Sequence, residues 1–342
     1  MSSSAGGNRL TTDDRRLGFT APLALPLHRQ RDQIAALADA GHVDAWSAEV
    51  DGADAFSPLA LIGAWEPRCR LGTAVVPAFT RSPALIAQSA AALADMAPGR
   101  FLLGIGASSR VVVEAWSGVA YTSPFERTRD VLRFVREALS GARMARSYDS
   151  FTVDGFRLSR IPELAPPILV AALRPKMVRL GIDEGDGVIL NWVSPTDVAR
   201  VRDLVTSRSA ARKEVVARIF VCPTTDRDVV RATARRLITT YLNVPAYAEA
   251  QRWHGRAEAL TPMWSAWDAG DRRGALELVP DSVIDDLFVH GSPPECRERI
   301  SQYFDHGLNA VSVSIVGVRP DFVVPALCAL GPNDTGSEWP VE

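Results

Sequence analysis

The sequence predicts an α/β fold, a (β/α)8 barrel with insertions at the carboxyl end of its strands. Eight apolar, β-prone runs recur over about 300 residues, and helical patterns separate most of them. One unit carries the signal most clearly: Arg70-Leu-Gly-Thr-Ala-Val-Val-Pro-Ala-Phe-Thr-Arg-Ser-Pro83, closed by Gly99-Arg-Phe-Leu-Leu-Gly-Ile-Gly106. It reads strand, polar loop, helix, strand, with a glycine pair where the second strand ends. Such a unit builds a parallel sheet with its working loops at the carboxyl edge. A doubly wound sheet shares this alternation and stays open as the alternative.

The eight runs are Leu17–Leu25, Val43–Ala48, Cys69–Val76, Phe101–Ile105, Pro167–Ala171, Gly187–Leu190, Val215–Val221 and Ala310–Ile315. Between the first two, Gln30–Ala40 repeats apolar residues at Ile34, Leu37 and Ala38 and stops at Gly41. Ser82 and Pro83 supply an N-cap and an N1 proline to a helix over Ala84–Met96. Ser123-Pro-Phe-Glu126 predicts a capping box opening a helix over Phe125–Leu139, and Ser292-Pro-Pro-Glu295 repeats the device before Cys296–His306. Ser147–Ser159 predicts a β-hairpin with Asp154-Gly155 in its turn. Residues 240–287, after the seventh strand, form a helical insertion rich in aromatics, read as lid and substrate wall or as a dimer contact. The organisation expected is a disordered tail over 1–15, one domain over 16–330 and a C-terminal tail over 331–342.

Composition narrows the function. Of 342 residues, 47% are apolar and 23% charged, enough for a large core in a soluble protein, and the net charge of −2 gives no reason to expect nucleic acid or an anionic membrane. No run approaches a spanning helix, and the polar opening Met1–Asn8 lacks the apolar stretch of a signal peptide. Cys69, Cys222, Cys296 and Cys328 form no CxxC, and the histidines no HExxH, so no metal is expected and a reducing cytoplasm is the expected setting. No GxSxG, P-loop or nucleophile–base spacing supports covalent acyl or phosphoryl chemistry. Gly104-Ile-Gly106-Ala-Ser-Ser109 lacks the third glycine of a dinucleotide fingerprint.

The third and fourth strands resemble the luciferase-like flavin and deazaflavin oxidoreductases, whose strand three runs "LGT(S/A)V…P…R.P" and strand four "GR(F/V).LG.G". The turn Ala171-Ala-Leu-Arg174-Pro-Lys176 resembles the family's "AA.GPK". The phrases AEVDGADAF and YLNVPAYAEAQRW…MWSAWDAGD suit an actinobacterial class that uses coenzyme F420, a 5-deazaflavin. The resemblance spans roughly Arg16 to Arg319. It implies a (β/α)8 barrel, coenzyme F420 with FMN as the alternative, a small-molecule substrate, a homodimer and a separate reductase supplying reduced cofactor. Two rival readings are an FMN-dependent two-component monooxygenase and a non-catalytic flavin- or deazaflavin-binding protein.

Residue by residue, the resemblance places Ala74 and Val75 behind the cofactor ring, at a bond that is cis in many deazaflavin members. Read alone, they are a strand end followed by a proline exit. Gly104, Gly106, Ser108 and Ser109 would shape the ring's edge; otherwise they are turn residues. Ala172, Leu173 and Arg174 would receive the phosphate-bearing tail at a helix N-terminus, with Arg174 replacing the usual glycine. Asn191 ends the sixth strand, where barrels place ligand contacts. Glu49 matches the family's acidic position, but Val50 stands where many members carry a histidine. A carboxyl near an apolar ring suits proton transfer, so Glu49 is the candidate catalytic residue; a solvated loop acid is the plainer reading. Ser109 also replaces the glutamate of the sugar-phosphate dehydrogenases, which argues against a hexose phosphate.

Overall fold

The computed structural model describes residues 15–334 and 339. The tail expected over 1–15 lies outside them except for Arg15, as do residues 335–338 and 340–342 of the C-terminal tail.

Eight parallel strands form the framework: β1 (Arg16–Ala21), β2 (Asp44–Ser47), β3 (Arg70–Thr73), β4 (Phe101–Gly106), β5 (Ile168–Ala171), β6 (Gly187–Asn191), β7 (Glu214–Cys222) and β8 (Ala310–Ile315). Each pairs with its neighbour in chain order, and β8 returns to β1 with Arg16 opposite Ala310. This closure decides between the two architectures, because a doubly wound sheet would leave edges. Phe288–His290 adds a short parallel strand outside β7.

Alternation along the strands divides two cores. Phe19, Leu71, Leu103, Val170 and Ala217 face outward and pack beneath the surrounding helices. Trp46, Leu102, Leu169, Ile189, Val216 and Ala310 point inward and fill the middle of the barrel. Below them, at the first residues of their strands, sits a buried charge cluster. Arg16 Nε donates to Asp44 Oδ2 at 3.2 Å, Arg16 Nη2 pairs with Glu214, and Arg70 lies 3.9 Å from Asp44. Charges this deep are tolerated because they are mutually paired, so the amino end of the barrel is sealed. The working end is the other one.

Local signals mostly act as expected. Ser82 Oγ accepts from Leu85 N–H, and the Glu295 carboxylate accepts from both Ser292 N–H and Oγ. Two do not. Ser123 is left-handed, with φ 46° and ψ 57°, so its side chain makes no cap. The helix Pro124–Leu139 starts instead on its N1 proline and on Ser123's carbonyl, which accepts from Arg127 N–H. The hairpin pairs Met144–Ser147 with Thr152–Phe156 and turns at Tyr148–Phe151, where the two rings stack at 4.7 Å. Gly155, with φ 79°, lies inside the second strand, where the register shifts, and marks a bulge rather than the turn.

After β7 the chain runs through helices Arg227–Leu242, Pro245–Trp253, Ala257–Asp268, Arg272–Glu277 and Asp281–Leu287. They share a core of their own, with Trp264, Met263, Leu260 and Ile284 around Trp192 and Phe220 from the barrel. No helix among the described residues is long and apolar enough to cross a membrane.

Candidate active site at the carboxyl end of the barrel

Strand β3 stops at Thr73, short of the expected Val76, and the Ala74–Val75 bond just beyond it is cis. The chain then re-enters the sheet as Val76–Pro77, paired with Ile105 and Gly106. Ala74 N–H donates to Ser47 O at 2.6 Å, and Val75 O accepts from Glu49 N–H at 3.3 Å, so the β2 loop holds this step. Ala74 and Val75 are half-buried and rest on the inner apolar cluster. They form an apolar shelf at the barrel mouth.

The glycine pair splits in function. Gly104 is locked to Thr73, whose Oγ1 donates to its carbonyl and accepts from its N–H, both at 2.8 Å. A Cβ there would overlap Thr73's carbonyl oxygen and Ile189, so Gly104 serves barrel packing and does not border the mouth as expected. Gly106 does border it. A Cβ at Gly106 would stand 2.8 Å from both Val75 Cγ2 and Ala171 Cβ, so the missing side chain lets the shelf and β5 meet.

Ser108 follows with φ 62°, and its carbonyl accepts from Tyr121 Oη at 3.1 Å. Ser109 opens the helical turn Val111–Trp116 through its carbonyl, which accepts from Val113 N–H. Glu114 on that turn binds Arg110 at 2.6 Å and accepts from Tyr121 N–H; that backbone bond first, then Arg110, lowers its pKa. Its carboxylate is committed to its own loop.

Glu49 departs from the apolar setting expected of it. Arg81 Nε lies 2.9 Å from both its carboxylate oxygens, Nη2 lies 2.8 Å from Oε2, and Ala55 N–H donates to Oε2 at 3.2 Å. The hydrogen bond that Arg81 donates to Glu49 raises Arg81's pKa. The acid ties the loops after β2 and β3 together, and Asp54 caps the next helix through Phe56 and Ser57 N–H.

At β5, Ala172 is buried and Leu173 half-buried, while Arg174 is exposed and extended before the helix Pro175–Asp183. Arg174's carbonyl accepts the N–H groups of Met177 and Val178. The first turn of this helix faces the rim with the positive end of its dipole.

Asn191 ends β6, and its Nδ2 lies 3.3 Å from Tyr247 Oη, while its Oδ1 is buried without a partner among the described residues. Beyond it Trp192 turns left-handed at φ 58° and packs on Phe220 at 4.4 Å. A buried network fixes this turn to the inserted helices. Gln251 donates to Trp192 O, Arg256 reaches Gln251 and Asp197, and His254 Nδ1 lies 3.0 Å from Asp197. Burial pushes the Asp197 carboxyl up, but His254 and Arg256 overcome it and leave its pKa at about 2.

Facing the shelf are groups the sequence reading missed, Thr20, Arg218, Ser312 and Ser314, together with Tyr247 from the inserted helices that were read as lid and substrate wall. Arg218 Nη2 donates to Ser314 Oγ at 3.0 Å, and Thr20 bonds Ser312 at 3.0 Å. The signal for Arg218 was available, as one charge at an inward position between Val216 and Phe220. The mouth therefore has an apolar side at Ala74, Val75, Gly106 and Ala171, and a polar side at Asn191, Arg218 and Tyr247. Leu173 and Arg174 stand outside both, at the rim.

The sequence and the fold have known counterparts. The model of the luciferase-like monooxygenase family matches residues 7–310. A 5,10-methylenetetrahydromethanopterin reductase from Archaeoglobus fulgidus is 26% identical, over 75% of this chain and 80% of its own. An F420-dependent glucose-6-phosphate dehydrogenase from Rhodococcus erythropolis is 28% identical, over 73% and 74%. The solved structure of the coenzyme F420-dependent tetrahydromethanopterin reductase from Methanopyrus kandleri superposes with a TM-score of 0.75 at 18% identity, covering 94% of this chain and 98% of that one. With its family model matched over most of its length, the chain belongs to the luciferase-like monooxygenase family.

Proposed function

We propose that the chain is a coenzyme F420-dependent oxidoreductase that moves a hydride between the deazaflavin and a small organic substrate. The observation that carries this reading is the half-buried Ala74–Val75 shelf opposite Asn191, whose Oδ1 is buried and unpartnered among the described residues. A flat ring with one apolar face and a polar edge suits that setting, and its phosphate suits the N-terminus at Arg174–Pro175. The deazaflavin is favoured because the Rhodococcus relative is F420-dependent by name.

Bound there, the cofactor supplies a ring carbon that gives or takes a hydride. The protein's part is positioning and exclusion of water. Ala74 and Val75 keep one face dry, and Gly106 lets the shelf sit against β5. Glu49, clamped by Arg81, holds the shelf through its backbone bond to Val75 and acts as a positioning residue. Asn191 and Tyr247 orient what lies on the polar side. Ser109 in place of the sugar-phosphate dehydrogenases' glutamate, with Glu114 spent on Arg110 and Tyr121, points to a substrate other than a hexose phosphate. A homodimer and a separate enzyme regenerating reduced cofactor complete the reading. Titration of the purified chain with oxidised F420, followed by fluorescence, tests it: saturable binding supports it, and no binding removes it.

A further inference from the structure

We propose that Arg218 anchors a carboxylate of the substrate, so that the enzyme acts on an organic acid. This rests on the reading of the barrel mouth as the active site. Neighbouring Ala217 and Ile219 belong to the outer core and Val216 to the inner one, so Arg218 points into the barrel above its apolar middle. Its Nη2 donates to Ser314 Oγ, its guanidinium carbon lies 4.8 Å from the centre of the Phe220 ring, and its Nε is buried with no hydrogen-bond partner among the described residues. Among the described residues, no carboxylate forms an ion pair with it. The charged groups at the amino end of the barrel and around Asp197 are paired; this one is not.

A half-buried guanidinium without a counter-charge is a site for an anion, and its planar fork matches the two oxygens of a carboxylate. Asn191 is its register partner on β6. Asn191 Nδ2 lies 3.3 Å from Tyr247 Oη; when that oxygen accepts from the amide, the phenol proton is free for a ligand oxygen. A phenol keeps its proton at neutral pH, and burial pushes the pKa of Tyr247 further up. Phe220, Tyr241 and Tyr247 cluster beside these donors, with Tyr241 6.0 Å from Tyr247 and 6.4 Å from Phe220. A flat unsaturated or aromatic acid fits that company.

Benzoate and its neutral counterpart benzamide are the probes, applied to the full chain with and without F420 and read by calorimetry and thermal shift. Benzoate should bind saturably, and benzamide at least about tenfold more weakly. Arg218→Gln should lose benzoate binding by at least about tenfold while its F420 affinity stays within about twofold. Equal binding of the two probes, or benzoate binding that survives in Arg218→Gln, would overturn the proposal. So would a tenfold loss of F420 affinity in that variant, which would hand the guanidinium to the cofactor. Should Arg218→Gln not fold, Arg218→Lys carries the test, with benzoate weakened at least about threefold and unchanged benzoate binding the contrary result. Failure of the wild-type chain to bind F420 would remove the functional reading alone, because the benzoate arm on the free chain still decides for or against Arg218.

Discussion

Arg81 grips Glu49 from two nitrogens, with Nε 2.9 Å from each carboxylate oxygen and Nη2 2.8 Å from Oε2. Both side chains are only 18% exposed, so the pair is worth more than a surface contact. Its consequence reaches the shelf, because Glu49 N–H bonds Val75 O. Glu49→Gln keeps the shape and loses the charge. The expected result is about 1 kcal/mol less stability in denaturant unfolding and F420 binding weakened several-fold. A fall in turnover of ~10²–10⁴ with cofactor affinity intact would instead make Glu49 the proton-transfer group.

The two glycines of β4 should separate in mutagenesis. At Gly104 a methyl group meets the Thr73 carbonyl, which cannot withdraw without breaking the strand. Gly104→Ala is expected to cost ~2–3 kcal/mol or prevent folding. At Gly106 the nearest atoms are the side chains of Val75 and Ala171, which can shift. Gly106→Ala should unfold within about 1 kcal/mol of wild type yet bind F420 at least about tenfold more weakly. The opposite ordering in the two assays would contradict the division of labour.

Arg174 stands exposed at the N-terminus of Pro175–Asp183, without an ion pair among the described residues. If it meets the cofactor's phosphate, Arg174→Ala weakens F420 binding by about 1 kcal/mol at low salt, and the difference shrinks toward zero in 1 M salt. Unchanged affinity at low salt would leave the backbone N–H groups as the anion contact.

His42 gives the fold a pH dependence. Burial pushes its imidazole down to about 4, against the carbonyls of Leu327 and Gly18 that favour the charged form. Its Nε2 donates to Leu327 O at 2.7 Å. The folded value lies below the ordinary 6.5, so the unfolded chain binds more protons between those pH values. The contribution of His42 is complete above pH 6.5 and is lost as pH falls toward 4, by about 3 kcal/mol in all. Denaturant unfolding at pH 7.5 and 4.5 should show that loss in the wild type and a smaller one in His42→Gln. Identical losses would place the titration elsewhere.

Much of this was legible from the sequence, for reasons that differ by element. The eight strands are apolar runs cut by turn residues, and all eight appear with ends shifted by a few residues. The break after Thr73 was hidden from the residue pattern, because Ala74-Val75-Val76 is as β-prone as the strand before it; only the family resemblance pointed to the Ala74–Val75 bond. Ser123 has the chemistry of a cap but not its backbone angles, and spacing carries no information on those. Asp154-Gly155 marked a special backbone position correctly, yet a bulge and a turn both use a left-handed glycine. Of the site, the shelf and Asn191 could be located, being local to strand ends. The Glu49–Arg81 clamp and the Asp197–His254–Arg256 network join residues far apart in the chain, so only the folded structure brings them together.

Whether this barrel mouth holds a deazaflavin is decided by titrating the purified chain with oxidised F420 and, separately, with FMN, by fluorescence or calorimetry. F420 is expected to bind at micromolar or better and FMN at least about tenfold more weakly, a difference of ~1.4 kcal/mol. FMN binding as tight as F420 or tighter would contradict the account and favour a flavin-dependent monooxygenase on the same barrel.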